Sequence, residues 1–179
     1  MNTLVVYYSH TGNNKYLAER IAKDTTSDLY EISPRVKGFL GQMLASLLKI
    51  SFGIHSSTKN IKDYDAIILC GPIWMGQLIS PLNDFLKKYQ NDIKKLYFVT
   101  CCGSGEDSKD TKYGYNQVFE KIKSLMAGKL EFAESFSIEL ITPEELKGKS
   151  EETMKLRLSD EVFKGEILKK YINFIARIE

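Results

Sequence analysis

Cysteine, histidine and tryptophan are scarce in this sequence, which has three cysteines, two histidines and one tryptophan among 179 residues. Cys101 and Cys102 are adjacent, no Cys-x-x-Cys spacing occurs, and the histidines do not cluster. Neither a disulfide framework nor a metal site is therefore indicated. Reduced thiols fit a cytoplasmic location, and a first predicted strand that begins at Thr3 leaves no room for a signal peptide. We therefore expect a cytoplasmic protein.

An excess of one charge and long apolar runs are also lacking. The 25 Lys and Arg residues nearly balance the 23 Asp and Glu residues, and the net charge is +2. Proteins that bind nucleic acid usually have a clustered basic face, so no nucleic-acid partner is expected. No apolar run approaches the ~20 residues that cross a membrane. The length and the 43% apolar content fit one globular domain over residues 1–179.

Motifs of several phosphate-handling enzymes are absent. A P-loop needs a Gly-Lys-Ser/Thr ending, and a dinucleotide-binding turn needs three glycines, whereas the first loop has only Gly12. A response regulator would need acidic residues where Ser9 and Gly71 stand. Neither Cys70 nor Cys102 is followed by the arginine of a phosphatase loop, and the Gly-x-Ser-x-Gly elbow of hydrolases is incomplete. These absences exclude the corresponding enzyme classes.

Strand-like segments alternate with helical patterns along the whole chain. The first predicted strand begins at Thr3, and the other four span residues 28–32, 66–70, 96–101 and 132–140. Predicted helices begin after the first loop and at residues 40, 80, 116, 142 and 159. Ser80 is expected to cap the N-terminus of one of these helices. Thr142 is expected to open a capping box at the start of another, and Gly148 is expected to end that helix. The alternation predicts an α/β fold with a parallel sheet and helices on both faces.

The helix predicted over residues 40–52 has an apolar stripe at helical spacing. Its members are Leu40, Met43, Leu44, Leu47, Leu48 and Phe52. We expect a crossover helix that buries this stripe against one face of the sheet. A helix that lies on a membrane surface or on a partner protein is the alternative.

The loop after the first strand, Ser9–Asn14, is short and rich in hydroxyl groups, and a helix follows it directly. A helix start has unpaired N–H groups and the positive end of the helix dipole, so it suits an anion. The hydroxyls of Ser9 and Thr11, with the amides from His10 to Asn14, could surround a phosphate. An ordinary turn, in which Ser and Asn only cap the helix, is the alternative.

Two further loops follow the third and fourth predicted strands. The second loop, Gly71–Gly76, contains Trp74 between Pro72 and Gly76, where its flat ring could stack on a flat ligand. The third loop, Cys102–Gly105, has two glycines around Ser104, so its backbone N–H groups could approach a ligand edge. In parallel sheets, ligands bind beyond the carboxyl ends of the strands. Together the three loops predict a site for a phosphorylated planar heterocycle.

Ser9-His10-Thr11-Gly12-Asn13 is similar to the phosphate loop of the flavodoxin-like family, and Gly71–Gly76, with Pro81 further on, resembles its second flavin loop. The resemblance implies a three-layer sandwich with a five-stranded parallel sheet of order 2-1-3-4-5, and a non-covalently bound FMN that carries electrons. The implied cofactor-binding residues are Ser9, His10, Thr11, Gly12, Asn13, Asn14, Pro72, Ile73, Trp74, Met75, Gly76, Cys102, Gly103, Ser104 and Gly105. Glu106 and Asp107 nearby would disfavour a reduced, anionic flavin.

This sequence departs from the family pattern in three ways. Asn14 replaces the usual final threonine of the phosphate loop, so an amide would contact the ligand instead of a hydroxyl. No aromatic residue adjoins the third-loop glycines, so Tyr113 or Tyr115 would have to cover the second ring face. Otherwise that face is open to a nicotinamide or a quinone. Flavodoxin carriers are typically acidic, whereas the pI of this chain is near 8.3.

The last two departures favour a flavin-dependent reductase over a dedicated carrier. The expected partner is a redox protein or a small-molecule electron donor or acceptor. The oligomeric state and the catalytic residues are left open. A non-catalytic binding or interaction domain on the same fold, for another phosphorylated ligand or for none, is the alternative function.

Overall fold

A computed structural model describes residues 1–48 and 50–178, with only the backbone of Phe39, Leu47 and Ser150. In chain order its strands and α-helices are β1 (Thr3–Tyr7), α1 (Asn13–Asp24), β2 (Asp28–Glu31), α2 (Phe39–Leu48), β3 (Ala66–Cys70), β4 (Ile73–Trp74), β5 (Gln77–Leu78), α3 (Ser80–Tyr89), β6 (Leu96–Cys102), α4 (Asn116–Met126), β7 (Leu130–Ser137), α5 (Ser150–Thr153) and α6 (Glu166–Ile178). Within these described ranges, no helix combines the length and the apolarity needed to cross a membrane.

Five parallel strands form the main sheet, in the order β2-β1-β3-β6-β7. The predicted order 2-1-3-4-5 is confirmed, because β6 and β7 are the fourth and fifth strands of this sheet. In the central strands Tyr7 lies opposite Cys70, and Cys70 lies opposite Val99. The carboxyl ends of β1, β3 and β6 therefore meet at one edge, and the three predicted loops leave from it.

Each face of the sheet carries its own apolar core, as alternation along the strands requires. On one face Val5 and Ile68 pack with α1 and α6, which contribute Leu17, Ile21, Ile167, Tyr171 and Phe174. On the other face Val6 and Leu69 pack with α3 and α4, which contribute Leu82, Phe85, Leu86, Val118 and Ile122. Burial on both faces explains why β1 and β3 are continuous apolar runs.

The chain beyond β7 differs most from the prediction. Strand β7 ends at Ser137 rather than residue 140, because the Ser137 hydroxyl accepts a hydrogen bond from the Glu139 amide (3.1 Å) and starts a 3₁₀ turn. The predicted capping box is wrong, since the Thr142 hydroxyl donates instead to the Ile138 carbonyl (2.9 Å). Only a 3₁₀ turn, Glu144–Leu146, forms there.

One predicted helix start and one predicted cap are also wrong. The last helix begins at Glu166 rather than near Ser159, because the single helical turn after Ser159 is interrupted at Gly165, where φ is +66°. Helix α3 is capped by Ile79, and Ser80 is its first residue. The Ser80 hydroxyl donates to the Ile50 carbonyl instead (3.3 Å).

Helix α2 packs against α3 and β5 rather than burying its apolar stripe against the sheet. Its Ala45 and Ser46 are buried, whereas Leu40, Leu44 and Leu48 are exposed. The interpretation of the stripe as covering one face of the sheet is therefore wrong for these leucines. The side chain of Leu47 lies outside the described part of the chain.

The Asn14 side chain joins α1 to the end of β6. Its Oδ1 accepts a hydrogen bond from the Cys101 amide (2.8 Å), and its Nδ2 donates to the Cys101 carbonyl (3.1 Å). Asn14 is 3% exposed, so these groups have no access to bulk water. The pair of bonds fixes the first turn of α1 at the carboxyl edge of the sheet.

Replacing Asn14 by alanine is expected to lower the free energy of unfolding by about 2–4 kcal/mol, because two backbone groups of Cys101 are left buried without partners. Urea denaturation measures this loss. Asn173→Ala on the exposed side of α6 is the matched control and should change the value by less than about 0.5 kcal/mol. A loss at Asn14 no larger than that of the control would contradict the assigned role.

A cluster of charged side chains joins α6 to β7 and to the 3₁₀ turn after β6. Lys170 Nζ lies 3.1 Å from Glu106 Oε1 and 3.1 Å from Glu134 Oε1. The Tyr115 hydroxyl also donates to Glu106 (2.9 Å). The hydrogen bond from Lys170, with those from Tyr115 and Lys109, lowers the pKa of Glu106 from 4.5 to about 2.

The lowered pKa of Glu106 predicts a pH-dependent contribution to stability. Since folding favours the charged carboxylate, the contribution is complete above pH 4.5 and is lost as the pH falls toward 2. Glu106→Gln should therefore reduce the free energy of unfolding near neutral pH and cost progressively less in acid. Glu151→Gln, at an exposed position, should leave the pH dependence unchanged. Parallel pH profiles for wild type and Glu106→Gln would disprove the coupling.

Candidate functional site

A cavity of about 640 Å³ opens at the carboxyl edge of the sheet. It lies where the loops after β1, β3 and β6 converge, and its volume is within the usual range of small-molecule sites. Of the predicted residues, it is lined by Thr11, Asn13, Asn14, Pro72, Ile73, Trp74, Cys102 and Gly103. The first, second and third loops therefore meet at one cavity.

The start of α1 forms the first side of the cavity. Gly12 precedes the helix with φ +96°, a left-handed conformation that favours glycine. The Ser9 hydroxyl accepts a hydrogen bond from the Gly12 amide (3.1 Å), so it shapes the turn. The next amides, from Asn13 onward, belong to the first helical turn, where N–H groups lack intrahelical acceptors. Thr11 supplies an exposed hydroxyl beside them.

The side chains of Asn13 and Asn14 are engaged within the protein. Asn13 Oδ1 accepts from the Leu158 amide (2.9 Å), and its Nδ2 donates to the Leu156 carbonyl (3.2 Å). The Asn14 side chain is bound to Cys101, as described above. The predicted side-chain amide contact from Asn14 to a ligand is therefore wrong, and both residues can present only backbone groups to the cavity.

The second loop is a small β-hairpin rather than an irregular loop. Strands β4 and β5 pair through Trp74 and Gln77, and Met75 and Gly76 between them have φ of +49° and +66°. Positive φ at both positions is typical of a type I′ turn. A side chain at Gly76 would overlap the Lys112 carbonyl and the Gln117 side chain, so glycine is required there. Met75 and Gly76 do not contribute to the cavity lining.

Trp74 forms the second side of the cavity and is half-buried. Part of its ring packs on the apolar core beneath the hairpin. The His10 ring meets it edge-on, with ring centroids 6.1 Å apart and an interplanar angle of 85°. His10 therefore contacts the indole instead of lining the cavity.

The third loop contributes Cys102 and Gly103 to the lining, whereas Ser104 and Gly105 do not line the cavity. The Ser104 hydroxyl donates to the Tyr113 carbonyl (3.2 Å). A side chain at Gly105 would overlap the Glu139 carboxylate. Burial raises the pKa of the Cys102 thiol to about 12, so this side chain is uncharged at neutral pH.

The sequence reasoning missed the fourth side of the cavity, which comes from the segment between β7 and α6. Its lining residues are Ile138, Glu139, Thr142, Lys147, Gly148, Lys149, Thr153 and Met154. We call residues 138–158 the wall segment. Its far end is bound to α1 through the Asn13 hydrogen bonds to Leu156 and Leu158. The only signal in the sequence was the length of this connection.

Neither Tyr113 nor Tyr115, the two candidates for covering a second ring face, lines the cavity, and the wall segment lines it instead. Tyr115 is buried and its hydroxyl binds Glu106, while Tyr113 is exposed outside the cavity. Glu106 is also paired with Lys170 and Lys109, so its charge is compensated. Among the described lining residues, Glu139 is the acidic one and Lys147 and Lys149 are the basic ones.

Residues 4–178 match the family model described as a flavodoxin domain. Among curated proteins, no match is found. A candidate flavoprotein of Bacteroides eggerthii DSM 20697 is 19% identical and has a TM-score of 0.63, over 75% of this chain and 87% of that one. A Lactobacillus acidophilus NCFM flavoprotein, crystallised in complex with FMN, is 18% identical with a TM-score of 0.62, over 75% and 92% of the two chains.

A flavodoxin of Streptococcus pneumonia TIGR4 is 14% identical, with a TM-score of 0.50 over 100% of both chains. These likenesses concern the fold. They agree with the strand order of the sheet and with the family match over nearly the whole chain. The chain therefore belongs to the flavodoxin family.

Proposed function

We propose that this chain is a redox flavoprotein that binds FMN non-covalently in the cavity at the carboxyl edge of the sheet. The convergence of the start of α1, the Trp74 hairpin and the third loop on one cavity is the observation that carries the proposal. Membership of the flavodoxin family and the FMN complex of the Lactobacillus acidophilus protein support it. Bound FMN would supply one- and two-electron transfer.

The phosphate of FMN would be held at the start of α1. The N–H groups of the first turn and the Thr11 hydroxyl are suitable donors, and hydrogen bonds to charged groups contribute about 1.5–3 kcal/mol each. Asn13 and Asn14 serve this end indirectly, because their side chains hold the helix start in place. Lys149 adds positive charge to the same cavity, whereas the charge of Lys147 is paired with Glu144.

The ring system would lie beside Trp74, with its polar edge toward the third loop. The edge-on contact from His10 restrains the indole on its outer side. Gly103 has no side chain, and nothing stands within 4 Å of the place where one would begin, so its backbone is accessible to a ligand edge. Residues 73, 74, 102 and 103 are thus the ring-binding set in this proposal.

The wall segment favours a reductase that uses a small-molecule donor or acceptor over a dedicated carrier. A carrier needs an accessible cofactor and, in this family, an acidic surface, whereas this chain has a pI near 8.3. Met154 and Lys149 of the wall segment offer an apolar surface and positive charge to a second ligand. The phosphates of a nicotinamide nucleotide match that charge.

Flavin-free protein titrated with FMN and with riboflavin should quench FMN fluorescence at lower concentrations than riboflavin fluorescence. Thr11→Val should weaken FMN binding by about tenfold, because one hydrogen bond to the phosphate is lost, and should leave riboflavin binding unchanged. Thr58→Val, in an exposed loop, is the matched control. Equal affinities for the two flavins would refute the phosphate site, and no quenching at all would favour the non-catalytic alternative.

The reductase role is tested separately with FMN-loaded protein under anaerobic conditions. Addition of NADH or NADPH should bleach the visible flavin absorption within the mixing time of a manual experiment. Dithionite serves as the control that the flavin can be reduced. Bleaching by dithionite alone would reject the nicotinamide-linked reductase and leave the carrier role.

A further inference from the structure

Helix α2 has its polar residues inside and its leucines outside, the reverse of a surface helix of a soluble domain. Gln42, Ala45 and Ser46 are 1%, 0% and 7% exposed. Leu40, Leu44 and Leu48, four residues apart on one line, are 72%, 53% and 58% exposed. The same surface continues into Val36, Ile50 and Phe52, which are also exposed. We call these six residues the leucine face.

Hydrogen bonds fix this inverted orientation. The Ser46 hydroxyl accepts from the Ser80 amide at the start of α3 (2.9 Å) and donates to the Gln42 carbonyl (2.7 Å). The Gln42 side-chain amide donates to the Val36 carbonyl. Rotating the helix to bury its leucines would break the bonds to the Ser80 amide and the Val36 carbonyl, and would leave the Ser80 amide buried without a partner. The leucine face is therefore a built feature of the fold.

The stretch of sequence that contains the leucine face is basic. Residues 32–62 include five basic residues, Arg35, Lys37, Lys49, Lys59 and Lys62, and no Asp or Glu, although 23 acidic residues occur in the chain. Lys59 and Lys62 form ion pairs with Asp28 and Asp92. Arg35 and Lys37 are exposed, and none of the ion pairs between described residues includes them.

A groove of about 400 Å³ adjoins the same surface. It runs between α2, α3 and α4, and Ile50 and Lys87 both line it. An apolar side chain and an ammonium group therefore line the same groove. This pairing suits an amphiphile with an acyl chain and an anionic headgroup.

We propose that the leucine face docks on the surface of a bilayer rich in anionic lipids. A single line of leucines with cations beside it is the pattern of a helix that lies in the membrane interface. Basic residues next to it are attracted by the negative potential of such a surface. A second copy of the chain is disfavoured as the occupant, because a symmetric contact would bring Arg35 and Lys37 close to their own copies.

Docking in this way would bring the candidate site near the bilayer. Helix α2 packs against β5, the second strand of the hairpin that carries Trp74. If the proposed redox function holds, on which this consequence alone rests, a lipid-soluble quinone becomes an accessible acceptor. The docking itself requires no cofactor.

The test is co-sedimentation of the purified full chain with vesicles. Vesicles of equal parts phosphatidylglycerol and phosphatidylcholine should bind the protein, and vesicles of phosphatidylcholine alone should bind it at least about tenfold less. The double variant Leu40→Gln/Leu44→Gln should lose about tenfold in binding to the anionic vesicles. The control variant Leu29→Gln/Ile172→Gln, at exposed apolar positions on other elements, should bind these vesicles as well as the wild type does.

Charge variants separate the electrostatic contribution. Arg35→Gln/Lys37→Gln should weaken binding to anionic vesicles and reduce its sensitivity to salt, whereas Lys23→Gln/Lys164→Gln should change neither. Unchanged FMN affinity and melting temperature in all variants would show that the folded site is intact. The vesicle assay run on flavin-free protein keeps this test independent of the proposed FMN function.

Three outcomes would overturn the proposal. The first is equal binding of wild type and of the leucine double variant to anionic vesicles. The second is no vesicle binding together with a concentration-dependent dimer that the same variant dissociates, which would assign the leucine face to a second copy. The third is no vesicle binding and a monomer at all concentrations.

Discussion

The candidate site depends on the junction between the start of α1 and the end of β6. Asn14 makes this junction with both polar atoms of its side chain, which bind the amide and the carbonyl of Cys101. A helix start attracts an anion only where its first N–H groups stay in place and remain accessible. Asn14 fixes their position, and the positive φ of Gly12 turns the preceding chain away from them. Asn14, which departs from the family pattern, thus positions the helix start through its side chain and does not itself line the site with that side chain.

The wall segment gives this member of the family a more enclosed cavity than its three loops alone would form. It crosses from the edge strand β7 to α1, where Asn13 binds two of its backbone groups. The same asparagine belongs to the first helical turn, so the wall and the helix start form one unit. Lys149 on the wall brings positive charge to a cavity whose remaining sides are mostly apolar or backbone, while Lys147 is paired with Glu144.

Most of the fold could be predicted from the sequence because its strands are buried on both faces. Continuous apolar runs such as Ala66–Cys70 identify central parallel strands, and helix α4 was bounded correctly by its periodicity and Gly128. The errors in the predicted elements arose where local hydrogen bonds differ from those expected. The hydroxyls of Ser137 and Thr142 bind backbone groups within the 3₁₀ turn rather than capping a helix, and residue type alone does not distinguish these uses.

The parts of the candidate site that depend on local backbone geometry could be predicted from the sequence. The parts that depend on contacts between distant side chains were missed. Glycine at 12 follows from short-range pattern, whereas the hairpin turn at Gly76 was not predicted. The contact of His10 with Trp74 and the wall opposite the indole depend on tertiary packing. The exposed leucines of α2 were misassigned because periodicity identifies an apolar face without saying which side faces the core. The buried pair Gln42 and Ser46 reverses the usual direction.

Backbone amide chemical shifts recorded during a titration with FMN test whether the start of α1 binds the phosphate. The largest changes should fall on residues 11–15 at the start of α1, with further changes at Trp74 and Gly103. Riboflavin should reproduce the changes at Trp74 and Gly103 and leave residues 11–15 nearly unaffected. Amides of residues 11–15 that do not respond to saturating FMN would rule out phosphate binding there.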